Sequence, residues 1–180
     1  MAYVGLAQPT IKPATGTGIK VGKAVSIDIE PQYAEASLFG DNTKAEYEKS
    51  FKSAKVTVGT TSLPVAAHTA MFGHAVDTTK NTVTYKSTDS SGYIGFGIYT
   101  EEVVDGVHTF AAMWMPKVKF SDPKDSFETK GDSINYKTPS IEGEALADDN
   151  MVWKIVQVFD TEAAAQAFLN EKAGITAPEA

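Results

Sequence analysis

Three histidines, His68, His74 and His108, are the only imidazoles in a 180-residue chain that has no cysteine. Without thiolates there is no disulfide framework, no thiolate zinc or iron–sulfur site and no cysteine nucleophile. His68 and His74 stand six apart, a spacing that does not bring two ligands to one helix face, and neither belongs to an H-E-x-x-H pattern. The expectation for them is an ordinary helix-surface and an ordinary helix-end histidine. His108 alternates with Phe110 and is expected on a strand. The stretch from Ser121 to Asp132 is dense in carboxylates but lacks the D-x-[DN]-x-[DN]-G spacing of a calcium loop, so a solvated loop is expected. Gly92, Gly95 and Gly97 fall inside a strand pattern, not between a strand and a helix, and make no nucleotide fingerprint. G-x-S-x-G and P-loop patterns are absent. From its residues the chain is expected to be no enzyme, with no catalytic residue, no metal site and no cofactor.

Charge points the same way. Sixteen basic residues, all lysine, stand against 23 acidic ones, for a net charge of −7. Proteins that grip nucleic acid displace counterions with clustered Lys and Arg, and Arg supplies the bidentate phosphate contacts. Neither a basic cluster nor arginine is present, which argues against tight DNA or RNA binding. The N-terminus has no basic segment leading into an apolar one, so no signal peptide is expected. The longest apolar run, Phe110 to Met115, is far short of the roughly 20 residues a membrane helix needs. A soluble protein with no export signal and no membrane partner is expected.

The elements that would position these residues are mostly strands. Fifteen Val, ten Ile and 19 Thr against five Leu favour pleated surfaces over helices, because β-branching restricts helix rotamers. A length of 180 residues suits one domain burying roughly 70% of its unfolded surface. Residues 1–23 are expected as a short strand (Ala2 to Leu6) and an extended arm, residues 24–174 as a β-sandwich domain, and residues 175–180 as a loose tail. Val25 to Glu30 alternates strictly, and Tyr33 to Phe39 continues the sheet past Pro31 to a turn at Gly40-Asp41-Asn42. Ala45 to Phe51 suits either a helix or a strand, and Lys55 to Val58 a strand. Ser62 to Phe72 is the central helix candidate, with Ser62 as cap and Gly73 at the C′ position. Thr82 to Lys86, Asp132 to Lys137, Ile141 to Leu146 and Val152 to Phe159 follow as strands. A closing helix starts at Asp160 or Thr161 and ends at Gly174.

Val104-Asp105-Gly106-Val107 marks a two-residue hairpin turn requiring positive φ, for which Asp-Gly is a preferred sequence. It sets a register in which facing residues sum to 211. Ile98 then meets Met113, Phe96 meets Met115, and Gly97 meets Trp114. Ile94, Phe96, Ile98, Met113 and Met115 make one apolar face, and Tyr93, Tyr99, Phe110, Trp114 and Val118 the other. An antiparallel sheet in a small monomer usually wets one face. Two dry faces imply cover on each side, by a sandwich core and a packed helix, or by a subunit interface on the second face.

Taken in order, W-x-P-K-V-K-F (Trp114 to Phe120), E-T-K-G-D-S-I (Glu128 to Ile134), K-T-P-S-I-E-G (Lys137 to Gly143) and the closing F-D-T-E (Phe159 to Glu162) resemble the major tail proteins of long-tailed bacteriophages. More narrowly, they resemble the phi13-type tail tube proteins. YVGLAQPTI, KAVSIDI, LFGDN and VTVGTTSLPVAAHTAMFGH agree in the N-terminal half, so the resemblance covers essentially the whole chain. It implies an antiparallel β-sandwich or barrel of the tail-tube type, with a flanking C-terminal helix and one short central helix. Some relatives carry an immunoglobulin-like domain after that helix; none is expected here. It further implies hexameric rings stacked into a tube that conducts double-stranded DNA into a bacterial host. Partners would be sister copies, a tape-measure protein, and tail terminator or baseplate proteins, with duplex DNA only in transit. The location would be the virion tail, after synthesis in the host cytoplasm. In such a tube Asp28, Glu30 and Glu35 are expected to help line the lumen, and Phe96, Ile98, Met113, Trp114 and Met115 to serve sheet and subunit packing. The alternative is a β-sandwich module for carbohydrate binding or host adhesion, which would present an exposed aromatic platform.

Overall fold

A computed structural model describes residues 2–41, 43–124, 129 and 138–176. The Asp-Gly turn joins two long strands, β7 (Ile94–Val104) and β8 (Val107–Phe120). Asp105 and Gly106 both take positive φ, 51° and 80°, as the tight turn requires. The register follows from it: Val104 faces Val107, Ile98 faces Met113, Gly97 faces Trp114 and Phe96 faces Met115. Past that point Ile94 faces Val118, because β8 carries an extra residue around Pro116. Proline lacks the donor a regular ladder needs and is at home in a bulge.

The remaining strands are β1 (Ala2–Lys12), β2 (Ile19–Lys20), β3 (Ala24–Gly40), β4 (Thr43–Thr60), β5 (Ala75–Asp77), β6 (Thr82–Thr84), β9 (Ser140–Ala145) and β10 (Ile155–Phe159). Two helices, α1 (Val65–Phe72) and α2 (Glu162–Ala173), complete the described elements. The main sheet runs β2-β1-β7-β8-β9-β4-β3 with β10 also on β8, and all its pairings are antiparallel. β5 and β6 form a separate small ribbon.

The fold is a mainly β sandwich. β8 belongs to both layers: Phe110–Trp114 pairs with β10, and Val118–Phe120 pairs with β9. The layer of β1, β7, β8 and β10 therefore curls over the layer of β3, β4 and β9. Between them lies the main core, with Ile11, Val56, Val58, Phe96, Ile98, Met115, Val118, Phe120 and Ile141 almost fully buried and α1 closing it through Ala67, Met71 and Phe72. α2 covers the outside of the first layer, where Tyr99, Ala112 and Trp114 meet Ala165, Leu169 and Ala173.

Both helix ends show their local causes. Thr161 Oγ1 accepts the Ala164 N–H at the start of α2, and Gly174 ends it in the left-handed region at φ 68°. Gly73 does the same for α1 at φ 78°. α1 starts two residues later than a Ser62 cap would place it, with Pro64 at the N-cap and no side-chain cap, so Ser62 does not serve. The first segment lies on the sandwich, with 2–12 and 19–20 in the main sheet and 13–18 a loop between them, and does not extend as an arm. β1 pairs with β7 along its length, Pro9, Thr10, Ile11 and Val21 are buried, and Gly18 N–H donates to Ala173 O at 3.0 Å. The expected strand at 132–137 lies outside the described residues.

Candidate functional site

The second layer has one dry face and one wet face. Ile27, Ile29, Val56, Val58, Ile141 and Ala145 point into the core, so period-2 alternation sends Asp28, Glu30, Lys55, Glu142 and Glu144 outward. Strand register turns these into a row: Glu30 pairs with Lys55, Lys55 with Glu144, and Glu144 with Lys119. Beside it lies the row Asp28, Thr57, Glu142. On these strands four carboxylates thus stand against two lysines, and Lys124, from the segment after β8, reaches Glu142 at 4.0 Å. Lys55 Nζ approaches Glu142 at 3.5 Å with both side chains about half exposed, a contact of small energetic value in water.

The expected carboxylates divide between the faces. Asp28 and Glu30 share the wet one, but Glu35 lies on the other. β3 passes Pro31 without an inserted residue, the bulge being on β4 at Lys52. The odd-numbered Glu35 therefore follows Ile27, Ile29 and Tyr33. There it meets Lys49 Nζ at 3.2 Å, and Lys49 also sits 4.3 Å from the centre of the Tyr33 ring. A hydrogen bond with Glu35 is the main cause that raises the Tyr47 phenol above its ordinary range, and the same carboxylate raises the Lys49 ammonium.

Beyond Gln32 and Ser53 the β3–β4 hairpin leaves the sandwich. Tyr33 meets Phe51 edge-on, and Phe51 stacks on Trp153 at 4.8 Å, which anchors the base. Outward of this point, among the described residues, the two strands pair only with each other, and residues 31–38 and 46–50 are exposed. Leu38 is 60% exposed, Tyr47 49% and Tyr33 44%. A two-stranded ribbon is marginal by itself in water, and open edges invite pairing with another chain.

The residues expected to serve packing all lie within one chain's sandwich. Phe96, Ile98 and Met115 are in the inner core, Met113 is half-buried against it, and Trp114 is 5% exposed beneath α2. Both faces of the β7–β8 hairpin are therefore dried by the chain's own layers, with no neighbour needed. Two side chains change place relative to expectation. Val118 joins the inner core because of the Pro116 bulge, and Tyr93 is exposed with Lys117 and Lys119 near its ring.

His74 is the residue the sequence reading missed. It directly follows the glycine that ends α1, yet it is 3% exposed. Its Nδ1 lies 2.8 Å from Asp89 Oδ2 and its Nε2 2.8 Å from Asp122 Oδ1. Its ring packs on Tyr85 at 4.2 Å and near Phe72. Burial alone lowers its pKa, but the hydrogen bonds to Asp89 and Asp122 outweigh burial and leave it above the ordinary value. With both nitrogens committed to carboxylates, His74 is not placed to activate a hydroxyl. His108 lies on a strand as expected, exposed near the start of β8, and pairs with Glu101. Among the described residues no group of three or more His, Asp or Glu is arranged to hold a metal ion, and no helix is long and apolar enough to cross a membrane.

No known family model matches the chain, and no curated protein is significantly similar to it.

Proposed function

We propose that the chain is a structural subunit of a bacteriophage tail tube, forming hexameric rings that stack into a conduit for double-stranded DNA. The ordered motifs from Trp114 to Glu162 support the family. The sandwich with its closing helix agrees with the architecture those motifs imply. The observation that carries the assembly reading is the outer half of the β3–β4 hairpin, which projects beyond the sandwich core with Tyr33, Leu38 and Tyr47 exposed. Sister copies in a closed ring and in the next ring would cover it and satisfy its edges.

The conduit function needs a wall that does not hold phosphate. The wet face of β3, β4 and β9 has that character, since its carboxylates outnumber its lysines and the chain has no arginine. Asp28 and Glu30, joined by Glu142 and Glu144, are assigned to the lumen; Glu35, on the opposite face with Lys49, belongs to the contacts of the projecting hairpin. Tape-measure, terminator or baseplate proteins would be met at the tube's ends, and the protein would reside in the virion tail after synthesis in the host cytoplasm. The protein is not an enzyme in this reading.

Sedimentation of the purified protein over a rising concentration series tests the proposal. Ring-sized or larger species should appear with concentration. A sharp monomer boundary throughout would count against it.

A further inference from the structure

We infer that His74 is a proton-dependent clasp: as an imidazolium it ties Asp122, at the exit of β8, to Asp89, in the loop after β6, and loss of its proton releases Asp122. An imidazolium offers two N–H donors, whereas neutral imidazole has one donor and one lone pair. With a carboxylate oxygen 2.8 Å from each nitrogen, only the charged ring satisfies both sides. After deprotonation one carboxylate must face a lone pair inside a largely buried recess.

Which carboxylate lets go follows from how each is held. Asp89 is 13% exposed at its side chain, and its Oδ2 also accepts the Lys86 backbone N–H at 2.9 Å. Asp122 is 55% exposed at its side chain and can turn into water. Just before it, the Ser121 N–H donates to Glu142 O at 2.8 Å, so β8 stays pinned through Ser121 and the loosening falls on Asp122 to Lys124. Among the described residues, the other charged or titratable groups facing His74 are Lys86, which shares the recess, and His68 and Tyr85, whose rings lie 6.3 Å and 4.2 Å from it.

The direction of the pH response follows from the two partners. His74 titrates above 6.5, so the clasp is complete below that pH and opens as pH rises through the raised value. Asp89, held below 3.8 chiefly by its hydrogen bond to His74, keeps its side closed until pH falls beneath that ordinary value.

The test is an NMR titration of the full chain with labelled histidine, together with backbone order parameters. At pH 6 both His74 nitrogens should show imidazolium shifts, with a midpoint above 6.5. Across that midpoint the order parameters of Asp122 and Lys124 should fall while those of Lys86 and Asp89 hold. Asp122→Asn should move the His74 midpoint downward and remove the pH dependence at Lys124. A His74 midpoint below 6.5 in the unaltered protein, or an Asp122 that stays equally ordered through the titration, overturns the clasp.

Discussion

Gly97 on β7 faces Trp114 on β8 directly across the ladder, and the indole fills the space that a side chain at Gly97 would need. A Cβ there would sit 2.4 Å from Trp114 Cε3 and 2.8 Å from Leu169 Cδ2. Gly97→Ala therefore pushes the indole against α2. Overpacking of this kind costs about 1–3 kcal/mol, to be read as a lower urea midpoint. Gly92→Ala, where nothing lies within 4 Å, should leave the midpoint nearly unchanged.

α2 depends on the same contact from the other side. Leu169 is fully buried against Trp114 and its neighbours, so Leu169→Ala should cost about 2–5 kcal/mol. Thr161→Ala removes only the cap accepted from Ala164 and should cost about 1 kcal/mol. Equal losses for the two variants would mean that α2 is held by its own propensity and not by docking. Denaturation followed by Trp fluorescence distinguishes them.

Much of this fold is legible in the sequence, because two-residue turns and alternation are local. The Asp-Gly turn sets the register of β7 against β8, and Thr161 and Gly174 bracket α2. What escapes is set by distant partners or by single-residue slips. The bulge at Pro116 flips Val118 to the inner core, and an uninterrupted β3 past Pro31 separates Glu35 from Asp28 and Glu30. Likewise, the dryness of both hairpin faces suggests neighbours until β4, β9 and α2 are seen to cover them. His74 is the clearest case: its partners lie 15 and 48 residues away, and no local spacing announces them.

The wet face makes an electrostatic prediction. The unaltered protein should not retard duplex DNA in a gel at moderate salt. Reversing Asp28 and Glu30 to lysine, both exposed on β3, should leave folding intact and create binding that weakens steeply with salt. Strong duplex binding by the unaltered protein would contradict a non-adhesive lumen.

The projecting hairpin predicts a separation of assembly from stability. Leu38 is 60% exposed and lies outside the core, so Leu38→Asp should change monomer stability by no more than about 0.5 kcal/mol. In sedimentation at high concentration the same variant should lose its larger species. Unaltered assembly in Leu38→Asp would remove the hairpin from the contact.

As proposed above, this sandwich would be a ring-forming subunit of a hollow conduit. Negative-stain electron microscopy of the concentrated, unaltered protein tests it most directly. Closed rings and stacked tubes with an open channel are expected; fields of single sandwiches, with neither rings nor tubes at any concentration, would overturn the proposed assembly.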